Sequence, residues 1–155
     1  MARNLNWLAH VKYPDEKIIV WAANAHIMKN ADTAIRDKRA ASIPWMGTVF
    51  TKDSRNTSQT YVMAFTSRGG YSRREHKPEA RIIPKPSKNG FEMWMEDSLL
   101  YGFVDFKRFR ELRPGSSEQF PLKSMSHYNF VGSWTDVFDG VFYIRDMQPC
   151  AEVSL

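Results

Sequence analysis

The sequence predicts one α/β unit, a mostly parallel sheet with flanking helices, and three features carry that prediction. Residues 17–23 form a continuous apolar run rich in β-branched side chains, as expected when both faces of a parallel strand are covered. Residues 59–67 form a second run of strand composition. Between them lies a stretch of helical character, and a strand–helix–strand order implies a parallel pair joined by a right-handed crossover.

Length and composition agree with a single unit over residues 1–155. The chain has 155 residues, 43% hydrophobic and 14% aromatic, and a domain of that size hides roughly two-thirds of its unfolded surface. Cys150 is the only cysteine, which excludes an internal disulfide and any CxxC pair. Nothing points to an oxidising compartment. No signal-like N-terminal run and no stretch of about 18 apolar residues occurs, so a soluble, cytoplasmic chain without membrane contact is expected. A net charge of +5 and a pI of about 9.4 would suit an anionic partner, but charge balance speaks of association rather than mechanism.

In chain order, Leu5, Trp7, Leu8 and Val11 fall on one face of a short helix, and residues 13–16 read as a turn before the first strand. Residues 29–42 are polar with interspersed alanines, fitting an exposed helix or mobile loop. Pro44 then opens a helix through Trp45, Met46, Val49 and Phe50. The strand at 59–67 is expected to stop at Arg68-Gly69-Gly70. Residues 68–90 hold three glycines, three prolines and mixed charges, so they read as a long surface loop with a short strand at 80–83. Beyond it, the pattern predicts a helix at 91–100, a strand at 101–105, a helical turn at 106–112 and a final strand at 140–145.

Ligands of open parallel sheets bind beyond the carboxyl ends of strands, and Asn24 and His26 follow the first strand at that position. There an imidazole could act as a general base toward water while Asn24 orients it or donates to an oxyanion. The plain alternative is that Asn24 caps a turn and His26 satisfies a backbone group. Thr66 to Tyr71 end the second strand, where two glycines permit close approach to a ligand or simply make a turn. Arg68 and Tyr71 are the candidate crevice neighbours.

No nucleotide-binding glycine motif, metal-ligand spacing or nucleophile elbow is present, so neither metal nor cofactor is expected. His10 ends the first helix, His76 lies in the charged loop, and His127 sits in a segment, 124–129, that could form a substrate-side loop. Arg73, Arg74, Lys77, Arg81, Lys85 and Lys88 make a basic stretch, interrupted by Glu75 and Glu79 and without stacking aromatics, which favours a solvated loop over a nucleic-acid surface.

The segment Lys17-Ile-Ile-Val-Trp-Ala-Ala-Asn-Ala-His26 resembles the erythromycin esterase family, whose members carry a strand followed by a Trp-Ala-His-Asn-x-His type of motif. Met1-Ala-Arg-Asn4 with Trp7-Leu8 upstream, and Met46-Gly47, Tyr61 to Tyr71, and Asp139 to Ile144 with Pro149 downstream, look like further landmarks in the right order. The resemblance implies an α/β protein that hydrolyses a small-molecule ester or lactone, a macrolide in the type case, without a metal, using histidine and glutamate to activate water.

Ala23 stands where the motif has its first histidine, so only Asn24 and His26 carry over. The family's Gly-Glu-x-Thr-His-Gly type of segment, which holds its catalytic glutamate, has no counterpart here. The chain therefore looks like the C-terminal portion of a larger domain, with an exposed sheet edge or apolar face that invites self-association. Three functions follow: an incomplete hydrolase, a non-catalytic binding or scaffold domain that kept the fold, and, on charge alone, a nucleic-acid-binding module.

Overall fold

The computed structural model of the protein describes residues 1–73 and 79–149, and the expectations placed on Arg74, Glu75, His76, Lys77 and Cys150 lie outside the described residues. The chain begins with helix α1 (Ala2–Trp7), which continues into a π-helical turn at Leu8–Lys12. Residues 17–23 have no regular structure. Five short helices follow: α2 (Asn24–Ile27), α3 (Ala31–Ala34), α4 (Lys38–Ala41), α5 (Met46–Phe50) and α6 (Ser54–Gln59). The remainder is β1 (Met63–Ser72), β2 (Arg81–Ile82), β3 (Tyr101–Asp105), α7 (Phe106–Leu112), β4 (Phe120–Met125), β5 (Tyr128–Gly132), α8 (Trp134–Val137) and β6 (Gly140–Met147).

The α/β class stands, with a mixed main sheet in the order β2-β1-β6-β3. β1 runs parallel to β6, while β2 on β1 and β3 on β6 are antiparallel. The parallel partner of β1 is thus β6, at the far end of the sequence, and not residues 17–23. Those residues are no buried central strand: Ile19 is 91% and Trp21 85% exposed. A β-branched run becomes a strand only when other backbone edges pair with it, and none of the described residues supplies them.

Ala64 and Thr66 of β1 and Val141 and Tyr143 of β6 point into the core with Phe91, Leu122 and Trp134, all buried. The opposite face is different. Phe65, Phe142 and Phe103 stand directly opposite one another across β1, β6 and β3, and Phe103 is 48% exposed. Trp21 leans on the Phe65 end of this row, ring centres 5.7 Å apart.

Buried Asp139 fastens the start of β6. It accepts from Lys29 Nζ at 2.6 Å, Arg110 Nη2 at 2.5 Å and the Val62 amide at 2.7 Å. Lys29, expected in an exposed stretch, is therefore inside, as are Ala31, Ala34 and Ala40.

Other expectations change too. β1 does not stop at Gly69-Gly70 but runs through them to Ser72, since Gly70, at φ +100°, lets the backbone pass where a Cβ would meet Met147 O at 2.1 Å. Residues 91–100 hold one 3₁₀ turn, Phe91–Met93, in place of a helix. Part of the expected loop at 68–90 is strand, including β2 within the predicted 80–83. Helix α6 and the β4–β5 hairpin were not foreseen.

Candidate functional site

Helix α2 presents Asn24 and His26, and its position follows from two close contacts. Gly47 of α5 lies so near the chain that a Cβ there would fall 2.1 Å from Ile27 O, so only glycine admits α2 at this distance. Asn24 meanwhile docks on the edge of β1: its Nδ2 donates to Phe65 O at 2.6 Å and its Oδ1 accepts from Phe65 N at 3.0 Å. One side-chain amide thereby supplies the two bonds a neighbouring strand residue would make.

The His26 imidazole is exposed and meets the Trp45 ring edge-on, centres 5.9 Å apart. It makes no side-chain hydrogen bond within the described residues, so no carboxylate orients it. Trp45 is itself fixed through Nε1–H donating to Ala40 O at 2.8 Å.

His26 borders a cleft of about 1160 Å³, lined by residues 16–27, by His10, by Tyr61, Met63 and Phe65, and by the hairpin residues Lys123, Ser124, Ser126 and His127. His10 belongs to the π-helical turn. Its Nε2 lies 2.6 Å from Asn56 Oδ1, while Asn56 Nδ2 donates to Asn6 Oδ1 and Phe50 O. With the amide so oriented, Oδ1 can only accept, so Nε2 carries a proton and donates it.

On the hairpin side, burial holds Lys123 down at about 8, against the pull of the nearby Glu92 charge. Burial, helped by the Lys123 charge, lowers His127 below its ordinary value, which keeps that ring neutral at pH 7.

The structure brings Asn24 and His26 together in this cleft. It does not bring Arg68 and Tyr71 there. Arg68 pairs with Asp97 beside a smaller surface hollow with Gly69 and Arg145, and Tyr71 pairs with Ile82 in the β1–β2 ladder. Ser67 and Ser133 are buried. Sequence reasoning passed over His10 and Lys123 and gave His127 only a loop. Residues 126–127 between two strand-like runs were the available signal for a two-residue hairpin. Among the described residues no cluster of three or more His, Cys, Asp or Glu could hold a metal ion, and no helix is long and apolar enough to cross a membrane.

Fold and cleft together define an α/β protein with a large cleft beside its main sheet. The chain belongs to the erythromycin esterase family, whose model matches residues 1–147. It is 24% identical to "Putative hydrolase YbfO" of Bacillus subtilis (strain 168) over 96% of this chain and 34% of that protein. Among solved structures, a succinoglycan biosynthesis protein superposes with a TM-score of 0.69 at 22% identity, over 94% of this chain and 36% of the other. A mutant of the erythromycin esterase EreC in its open conformation superposes with a TM-score of 0.66 at 15% identity, over 99% of this chain and 38% of the other. The chain thus spans little more than a third of the length of the relatives it matches.

Proposed function

We propose that this chain forms the substrate cleft of a metal-independent ester or lactone hydrolase, with His26 as the base that activates water and Asn24 as the residue that fixes its helix. The observation that carries the reading is the His26 imidazole at the edge of the cleft, with no side-chain hydrogen bond among the described residues. In the reaction so read, His26 removes a proton from water as the water oxygen bonds to the acyl carbon. The C–O bond to the leaving alcohol then breaks, and the imidazolium returns the proton to the departing oxygen.

The same observation limits the chain acting alone. A single general base contributes about 10²- to 10⁴-fold, or roughly 3–5 kcal/mol, whereas enzymatic accelerations begin near 8 kcal/mol. Ala23 in place of the motif's histidine, and the absence among the described residues of a carboxylate bonded to His26, leave that gap open. The chain alone is expected to turn over an activated ester only slightly faster than buffer, with that excess lost in His26→Ala, and to leave a macrolide lactone intact. Robust turnover that survives His26→Ala would overturn the assignment.

The engagement of both Asn24 amide atoms by Phe65 favours a second reading, a binding domain that kept the fold. Saturable macrolide binding without hydrolysis, in wild type and His26→Ala alike, would select it.

A further inference from the structure

Five residues at the end of the β4–β5 hairpin concentrate unfavourable features on one wall of the cleft. Between the pairs Leu122–Phe130 and Met125–Tyr128, β4 advances three residues and β5 two, so Lys123 and Ser124 form a bulge. Bulges re-aim side chains and recur beside binding sites. Lys123 is only 2% exposed, and its Nζ donates to Arg68 O and Pro84 O, both at 2.9 Å. An ammonium has three N–H donors, so one has no acceptor among the described residues.

Ser124 is also 2% exposed, and its buried Oγ has no partner among the described residues. The turn that follows holds Ser126 at φ 48° and His127 at φ 65°, a left-handed pair that Asn-Gly would adopt with less strain. Strain of this kind gathers at ligand sites, where the fold around it holds it in place.

The charge is balanced from below. Glu92 is fully buried, and its Oε1 accepts from Thr66 Oγ1 at 2.5 Å and from the Lys123 amide at 2.9 Å. Glu92 makes no direct ion pair with Lys123, so the ammonium is not consumed by it. Helix α2, with His26, packs against β4.

We propose that this hairpin end is a carboxylate-binding subsite, in which Lys123 Nζ and Ser124 Oγ donate to the oxygens of a carboxylate held beside His26. The choice of carboxylate rests on the hydrolytic reading, because the acid released from an ester is the anion that would form there; the subsite itself does not depend on turnover.

The test is an NMR titration of the ¹⁵N-labelled chain with sodium hexanoate at pH 6.5 and 9.5. Saturable shifts confined to residues 123–127 and His26 are expected, with affinity at least about tenfold weaker at pH 9.5, where an ammonium titrating near 8 has lost its proton. Among the described residues, the charged or titratable groups around Lys123 are Glu92 on the 3₁₀ turn, Arg68 on β1, His127 in the turn and His26 on α2. Burial and the Lys123 charge hold His127 below its ordinary value.

Lys123→Met should abolish the shifts and Lys123→Arg retain them, circular dichroism reporting whether each is folded. If Lys123→Met does not fold, the wild-type pH dependence decides alone. Absent shifts, shifts elsewhere, or affinity independent of pH would overturn the subsite. Hexanoate binding that persists in His26→Ala, with no ester turnover in wild type, would sustain the subsite while the hydrolytic reading fails.

Discussion

Residues 17–23 and strand β6 are both short apolar runs with β-branched and aromatic side chains, and they end in opposite surroundings. β6 is bonded to β1 on one edge and to β3 on the other, and its Val141 and Tyr143 are fully buried. Residues 17–23 pair with no strand among the described residues, and Ile19 and Trp21 face solvent. Composition gives a segment the capacity to be a strand; edges available on both sides decide whether it becomes one. The cleft inherits this contrast, with one wall a hydrogen-bonded hairpin and the other an open chain tied to β1 mainly through Asn24 and Trp21.

The contrast can be attacked first where β6 is anchored. Asp139→Ala strands Lys29 without its buried partner, and loss of one member of a buried pair costs about 3–5 kcal/mol, read as a lower urea midpoint. Next, Val141→Ala should cost about 2 kcal/mol, while Ile19→Ala should stay within about 0.5 kcal/mol, since only the first removes buried methyl groups. Equal losses in the two variants would erase the distinction.

Acidity sharpens the same anchor. Burial pushes the Asp139 carboxyl up, but bonds from Lys29, the Val62 amide and Arg110 outweigh it and hold the group below the carboxylate range. Its folded pKa therefore lies below the unfolded one. The stability it contributes is complete above the unfolded value of about 3.9 and is lost as pH falls through the folded value. Urea midpoints measured from pH 6 to pH 2 should fall more steeply in wild type than in Asp139→Asn.

Smaller effects belong to the cleft and the sheet face. His127→Gly should raise stability by up to about 1 kcal/mol by relieving the left-handed turn, seen as a higher Tm. The partly exposed Phe65–Phe142–Phe103 row should support weak, concentration-dependent self-association in sedimentation velocity, which Phe103→Lys removes.

Much of the fold could be read from local pattern. Leu5, Trp7 and Leu8 marked the first helix, and β3, α7 and β6 lie where their periodicity put them. The hairpin escaped because Pro121 and the adjacent polar pair Lys123-Ser124 break the alternation of β4, where the register shifts between Leu122 and Met125. Residues 91–100 misled because Phe91 and Glu92 are both drawn inside, so the chain turns once there and leaves. At the site, Asn24 and His26 were legible from a motif. His10 and Lys123 come to the cleft from elements far apart in the sequence, which no local spacing encodes.

Amide hydrogen exchange on the intact chain tests most directly whether neighbours, not composition, separate the two walls. Residues 18–23 should exchange at nearly the rate of an unstructured peptide, while the β6 amides bonded to β1 and β3 should be protected to the level of global unfolding. Protection of residues 18–23 comparable to that of β6 would contradict the account, because it would mean that this segment is a paired strand after all.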